Sequence, residues 1–275
     1  MKPGVLLACC GLLTGLFWAV AAFAGAPLPA DGRTGPDCQS IVYSTNPNYP
    51  PYDWAEGVDF DGATIELLKR AMPPGVRVTP LVVPWKRALH LAAEGEIDLL
   101  ASLRITPERS RYLQFTSHRA FPNPIVVFIR ADRAFPYHHW ADLKGRLGGV
   151  SLGDTFGGGF DEYLHQHLTV EEAPGMEENF RKLAAGRIDY CVTSLYVGQA
   201  YLARHPSAHT IIALSPPISD QDIHFAMSKR SPCLDLLGPV SAKLEELDAA
   251  GVPEALLRQY QRRYRLAGKK AGKEE

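Results

Sequence analysis

The chain has 275 residues, 46% of them hydrophobic and 21% charged, and a formal net charge of −1. That length holds one large or two medium domains, and the composition is that of a packed globular chain rather than a disordered one. The near-neutral balance excludes the strongly basic character expected of a nucleic-acid binder or of a protein held to an anionic membrane surface.

The N-terminus reads as a targeting segment. Lys2 precedes an almost wholly apolar run over residues 5–24, and Ala22-Phe23-Ala24 fits a small-x-small cleavage site before Gly25. The run is also long enough to span a bilayer, so an uncleaved anchor is the alternative. Cleavage is favoured because a Gly-, Ala- and Pro-rich stretch follows, with no basic stop sequence. We therefore expect a signal peptide over residues 1–24 and a leader over 25–37. Cleavage would leave Cys38, Cys191 and Cys233, an odd number for an oxidising compartment. Cys191 lies in an apolar run and reads as a buried thiol. A Cys38–Cys233 disulfide is compatible with the sequence but is not fixed by it. No Cys/His cluster has metal-ligand spacing, so no metal and no cofactor are expected.

In chain order, residues 41–44 read as a strand. Asn46-Pro47-Asn48-Tyr49-Pro50-Pro51-Tyr52 reads as a rigid loop whose prolines hold two tyrosines in place. A helix is expected over 65–72 and a strand over 76–83. The stretch 84–109, PWKRALHLAAEGEIDLLASLRITPER, is the most informative. Trp85, Leu89 and Ala92/Ala93 share a helical face, Gly95 suits a left-handed cap, and 97–101 is a short buried strand. A polar loop follows from Ser102, with Thr106 placed to cap a helix that starts at Pro107. A polar loop at a strand's C-terminal edge is where open α/β sheets bind ligands. Arg104 and Arg109 in this loop can grip a carboxylate, although a lone arginine is more often a solvated surface charge.

After Leu113-Gln114-Phe115-Thr116, a strand is expected over 125–129, then a short helix over 140–145 and a strand over 150–152. Gly153-Asp154-Thr155-Phe156-Gly157-Gly158-Gly159 then opens a helix over 160–167. This glycine-rich loop either presents N–H groups to an anion or is a permissive turn. Helices over 176–185 and 194–203 flank a strand over 188–192. Strands over 211–214 and 224–227 and helices over 234–247 and 253–264 complete the chain, with a frayed lysine-rich tail. One segment echoes another: LAAGRIDYCVTS over 183–194 resembles LAAEGEIDLLAS over 91–102. The match is either chance or a structural repeat. Alternating strands and helices imply α/β lobes with largely parallel sheets, and hence a hinged two-lobed protein.

Several motifs together resemble the bacterial periplasmic solute-binding proteins of family 3, the polar amino acid type. They are Tyr49-Pro50-Pro51-Tyr52, Phe60-Asp61-Gly62-Ala63, Val83-Pro84-Trp85, Gly95-Glu96-Ile97-Asp98, Ile105-Thr106-Pro107-Glu108-Arg109, Phe115-Thr116, Asp142-Leu143-Lys144-Gly145 and Gly186-Arg187-Ile188-Asp189. The resemblance runs from about residue 41 to 264. It implies the type II-like two-lobed binding-protein fold, with a ligand cleft between lobes joined by two crossover strands. Lobe 1 would comprise residues 38–120 and 221–268, lobe 2 residues 121–220, and the tail 269–275. It also implies a non-enzymatic, monomeric periplasmic protein that hands a carboxylate-bearing solute to a membrane ABC permease.

By motif position, the resemblance gives Arg109 the ligand carboxylate, Ser102 a first-lobe hydroxyl donor and Thr155 a second-lobe carboxylate contact. Tyr49, Tyr52 and Trp85 would pack on the ligand body. Two departures stand out. Ser194 occupies the place where amino-acid binders commonly carry an ammonium-binding aspartate, and Arg104 replaces a commonly small residue. Asp154 is the acid placed to supply the missing anion. The expected ligand is therefore acidic or lacks an amino group. The alternatives are a periplasmic dehydratase of the cyclohexadienyl or arogenate type and a ligand-sensing module.

Overall fold

The structure, a computed structural model, describes residues 38–205 and 210–271. The expected signal peptide and leader lie outside the described residues. Among the described residues, no helix is long and apolar enough to cross a membrane.

Two five-stranded sheets share one plan. In the first, β1 (Ser40–Ser44) pairs in parallel with β5 (Arg77–Pro80) and β6 (Leu99–Leu103), and β13 (His224–Ser228) runs antiparallel between β6 and β7 (Leu113–Phe115). In the second, β9 (Leu147–Ser151) pairs in parallel with β10 (Thr169–Ala173) and β11 (Tyr190–Ser194). Here β8 (Ile125–Arg130) runs antiparallel between β11 and β12 (Ile211–Ala213). Each sheet is thus parallel over three strands and antiparallel over the other two, less uniformly parallel than the sequence suggested. The strand that breaks the pattern is in each case the one delivered by a crossover. The crossovers pair with each other through the antiparallel bridges Phe121–Ile223 and Ile125–Ser219.

The echo is structural. The helix α2 (Trp85–Glu94) leads into β6, and α4 (Met176–Ala184) leads into β11, each strand being the central one of its sheet. The shared Ile-Asp explains the rest. Asp98 Oδ2 accepts from Val42 N at 2.8 Å, and Asp189 Oδ2 accepts from Leu147 N at 2.8 Å. The same residues donate their own N–H to Val42 O at 2.9 Å and Leu147 O at 2.7 Å. Each aspartate therefore stitches the third strand to the first, satisfying main-chain groups that a sheet interior must not leave unpaired.

Most elements form where apolar periodicity placed them. The helix α2 ends on Gly95 at φ 86°, the left-handed cap, and buries Ala88, Leu91 and Ala92. The helix α3 (Phe160–His167) has the expected bounds. The helix α1 (Ala63–Ala71) packs on β6 of the first sheet, α6 (Leu237–Ala249) and the long α7 (Val252–Ala271) pack on α1 and on each other, and α7 also meets α5 (Leu195–Arg204). The backbone of α7 runs through Ala271 as helix, where fraying was expected. The strand expected over 76–83 is shorter, because the segment lies at the sheet edge and Pro80 and Pro84 limit its pairing. Two features went unread. Strand β10 carries exposed Glu171 and Glu172 on an edge, and the aromatic loop folds into a small antiparallel sheet of β2 (Asn48–Tyr49), β3 (Asp53–Glu56) and β4 (Asp59–Asp61). Cys38 and Cys233 form a disulfide, and Cys191 is a buried free thiol.

Candidate ligand-binding cleft

The C-terminal ends of β6 and β11 face one hollow, together with the loop after β9 and the start of α2. Of the nine residues singled out in the sequence, eight line it: Tyr49, Trp85, Ser102, Arg104, Arg109, Asp154, Thr155 and Ser194. Asn46, Asn123 and Thr193, which sequence reasoning missed, line it as well. Its inner part holds about 40 Å³, and a contiguous outer part of about 240 Å³ shares Asn46, Tyr49, Trp85, Asp154 and Thr193.

Arg109 reaches the cleft through a tight turn. Thr106 Oγ1 accepts from Arg109 N at 3.1 Å, and the helix expected from Pro107 is a single 3-10 turn, Arg109–Arg111. The side chain is 8% exposed. Among the described residues only its Nη1 is engaged, donating to Arg104 O at 3.1 Å, and its guanidinium carbon is 5.9 Å from the centre of the Trp85 ring. Burial, and to a lesser degree the neighbouring Arg104, lowers its pKa, while Tyr112, Asp154 and Glu108 raise it. A buried guanidinium with free donors is a strong anion receptor, since its charge is costly to hide without a partner.

Arg104 is 6% exposed and differently employed. Its Nη1 donates to Thr155 O at 2.7 Å and its Nη2 to Asn123 O at 2.8 Å. Both acceptors are neutral carbonyls, so these two hydrogen bonds do not neutralise its charge. Asp154 is the one acid in the lining. Burial lifts its pKa to about 6, while Arg104, Arg109 and a hydrogen bond with Ser151 hold it down. The glycine-rich loop forms a turn in which two N–H groups are taken up by its own helix. Phe156 N and Gly157 N donate to Asp161 Oδ1 at 2.8 Å and Oδ2 at 2.7 Å, so the loop is capped by its own helix. The three glycines 157, 158 and 159 all have positive φ, which the turn requires.

Tyr52 departs from expectation. It is fully buried, donates to Pro122 O at 2.6 Å, and packs edge-on against Phe121 and Tyr196. It supports Tyr49, whose ring stacks on it at 5.5 Å and whose hydroxyl accepts from Asn123 Nδ2 at 3.0 Å. Tyr49 alone of the pair faces the cleft. Ser194 Oγ lies beside both phenols, buried and without a hydrogen bond of normal geometry.

Ser102 also differs. Its hydroxyl is hydrogen-bonded to Asp53 Oδ1 and is 2.8 Å from Thr64 Oγ1. Its φ of 59° is the one left-handed value at a non-glycine residue among those described, and such strain persists only where surroundings fix it. Asp53 is fully buried, with hydroxyls rather than cations around it. Burial raises its pKa to about 8, against hydrogen bonds from Ser102, Thr45 and Thr64. At neutral pH Asp53 is therefore mainly the acid. A serine has one proton to give, so Ser102 donates to Asp53 Oδ1 and its contact with Thr64 Oγ1 is completed by the threonine hydroxyl. The Ser102 proton is thereby turned away from the ligand. The sequence signal for Asp53 was an acid between aromatic residues in Tyr52-Asp53-Trp54, which a loop reading left outside its bounds.

Asp53 makes stability depend on pH. The folded form keeps this proton from about pH 4, where the unfolded chain sheds it, up to about pH 8. Stability should therefore fall as pH rises through this window, by at most about 1.4 kcal/mol per pH unit from this group. Asp154 adds the same trend only up to about pH 6. Urea midpoints between about pH 6 and 8 should drop in the wild type and stay nearly level in Asp53→Asn. Equal slopes in the two proteins would show that Asp53 is ionised throughout.

Residues 41–263 match the family of bacterial extracellular solute-binding proteins, family 3. The chain belongs to that family. A curated relative is the arginine-binding extracellular protein ArtP of Bacillus subtilis (strain 168). It is 20% identical over 238 residues, which cover 84% of this chain and 92% of the relative. Among solved structures, the amino acid ABC transporter substrate-binding protein AbpA of Streptococcus pneumoniae, bound to L-arginine, superposes with a TM-score of 0.69. It has 19% identity, over 82% of this chain and 96% of that one. An ancestral amino-acid-binding protein, described as a precursor of cyclohexadienyl dehydratase, gives a TM-score of 0.65 at 22% identity, over 81% and 95% of the chains. These likenesses establish the two-lobed binding-protein fold, and family 3 membership makes the chain a solute-binding protein.

Proposed function

We propose that this protein captures a small carboxylate-bearing solute, an amino acid or related organic acid, in the cleft and passes it to a membrane ABC importer from the periplasm. The observation that carries this reading is Arg109, a buried guanidinium with most of its donors unspent at the edge of a polar hollow. We assign residues 38–120 and 221–268 to lobe 1 and 121–220 to lobe 2. The paired crossovers act as the hinge. Closing the lobes dries the Arg109–carboxylate pair and strengthens it.

Two of the named relatives are described as arginine-binding or arginine-bound, but the charges here favour a different solute. The lining holds two guanidinium groups against Asp154 alone. A ligand cation is repelled by this excess and a second ligand anion is rewarded. A thermal-shift panel tests it: glutamate against lysine and arginine, and each amino acid against its 2-hydroxy analogue. A ligand at 100 times its Kd adds about 2.7 kcal/mol of stability, enough to move the melting point visibly. The expected order is glutamate above lysine and arginine. A preference for the basic amino acids would overturn the charge argument and make Asp154 the ammonium acceptor.

A dehydratase is the second reading, favoured by one observation. Asp154, held at about 6 inside the cleft, has the poise of a general acid. Incubation with prephenate or arogenate separates the two, and the binder reading expects no turnover.

A further inference from the structure

The placement of Arg104 is unusual for a residue that grips a ligand. A guanidinium recognising an anion offers its fork to the site. Arg104 instead commits both terminal nitrogens to main-chain carbonyls, Thr155 O at 2.7 Å and Asn123 O at 2.8 Å. Thr155 belongs to the loop that follows β9 of the second sheet. Asn123 lies in the crossover between the bridges Phe121–Ile223 and Ile125–Ser219. Arg104 itself follows directly on β6 of the first sheet. Three separate parts of the fold therefore meet on one side chain, and its own carbonyl holds Arg109 at 3.1 Å. Nε is buried without a partner, and no acid forms an ion pair with it among the described residues. The contact spans the cleft without neutralising the charge.

We propose that Arg104 is a cross-cleft tether, a positioning residue that holds the second-lobe loop against the first lobe and sets how far the lobes stand open. It acts on the ligand through Arg109 and through closure, not by gripping the solute. Because the acceptors are backbone carbonyls, the tether depends on the side chain at one end only. The inference rests on the reading of this hollow as the ligand cleft, but its test needs no ligand.

The test is small-angle scattering of wild type, Arg104→Met and Arg104→Lys, with no solute added. A compact chain of the described length has a radius of gyration of roughly 18 Å. Arg104→Met removes both bonds and should shift the radius upward while circular dichroism stays that of the folded protein. Arg104→Lys keeps the charge but offers one compact donor in place of a fork, so its radius should lie between the other two. A purely structural arginine would change the melting point without changing the radius of the folded protein. An Arg104→Met radius equal to that of wild type overturns the tether. Should that variant fail to fold, Arg104→Gln takes its place under the same criterion. Failure here leaves the binding function standing. Failure of the ligand panel leaves the tether standing, since scattering is read without ligand.

Discussion

Arg109→Ala is expected to remove most ligand affinity, a loss of about 2–5 kcal/mol, with the fold intact. The size follows from desolvation. The guanidinium is 8% exposed and has one neutral hydrogen bond, so a bound carboxylate becomes its principal partner in a partly dry cleft. Removing one member of such a pair leaves the other buried and uncompensated, which costs more than the contact itself is worth. The short 3-10 turn that carries the residue is held by Thr106 and by main-chain bonds, so the backbone should survive truncation of the side chain. Titration calorimetry, with the tightest solute from the panel, measures the loss. An unchanged affinity would take Arg109 out of the site.

Loss of the disulfide should have the second largest effect. Cys38 and Cys233 are 195 residues apart, so the bond closes nearly the whole described chain into one loop. It joins the residue just ahead of β1 to the segment entering α6, with the whole second sheet inside the loop. In the chain-entropy account, a loop this long restricts the unfolded state strongly, and a typical contribution is about 2–4 kcal/mol. The urea midpoint of the wild type should fall with dithiothreitol, and the Cys38→Ser/Cys233→Ser double variant should start low and ignore the reductant. Coincident midpoints in all four samples would mean that the bond adds nothing.

Much of this architecture was legible in the residues because local and global preferences agree there. Gly95 ends α2, the apolar runs became buried strands, and the Ile-Asp echo marked the two central strands. What was hidden depends on partners distant in sequence. Strand β10 has edge position rather than apolar pattern. Tyr52 looked like a ligand platform because nothing local shows that Phe121, Pro122 and Tyr196 enclose it. Arg104 lines the hollow, yet its two acceptors come from Asn123 and Thr155, which no spacing rule connects to it. Asp53 is the clearest case. Its significance lies in three hydroxyls supplied by other segments, Thr45, Thr64 and Ser102.

The place of β13 bears on how the chain is made. That strand fills the gap between β6 and β7, yet it follows every strand of the second sheet in sequence. A chain emerging N-terminus first therefore finishes the second sheet at Ala213 while the first still lacks a member. By the export expected from the N-terminus, the stretch between Phe115 and His224 must still cross the membrane after β7 has done so. Throughout that interval the facing edges of β6 and β7 have no neighbour, and unpaired edges are templates for wrong partners. The earliest-made sheet is thus the last to be completed, and a chain cut short of His224 would hold every strand of the second sheet while the first lacked β13.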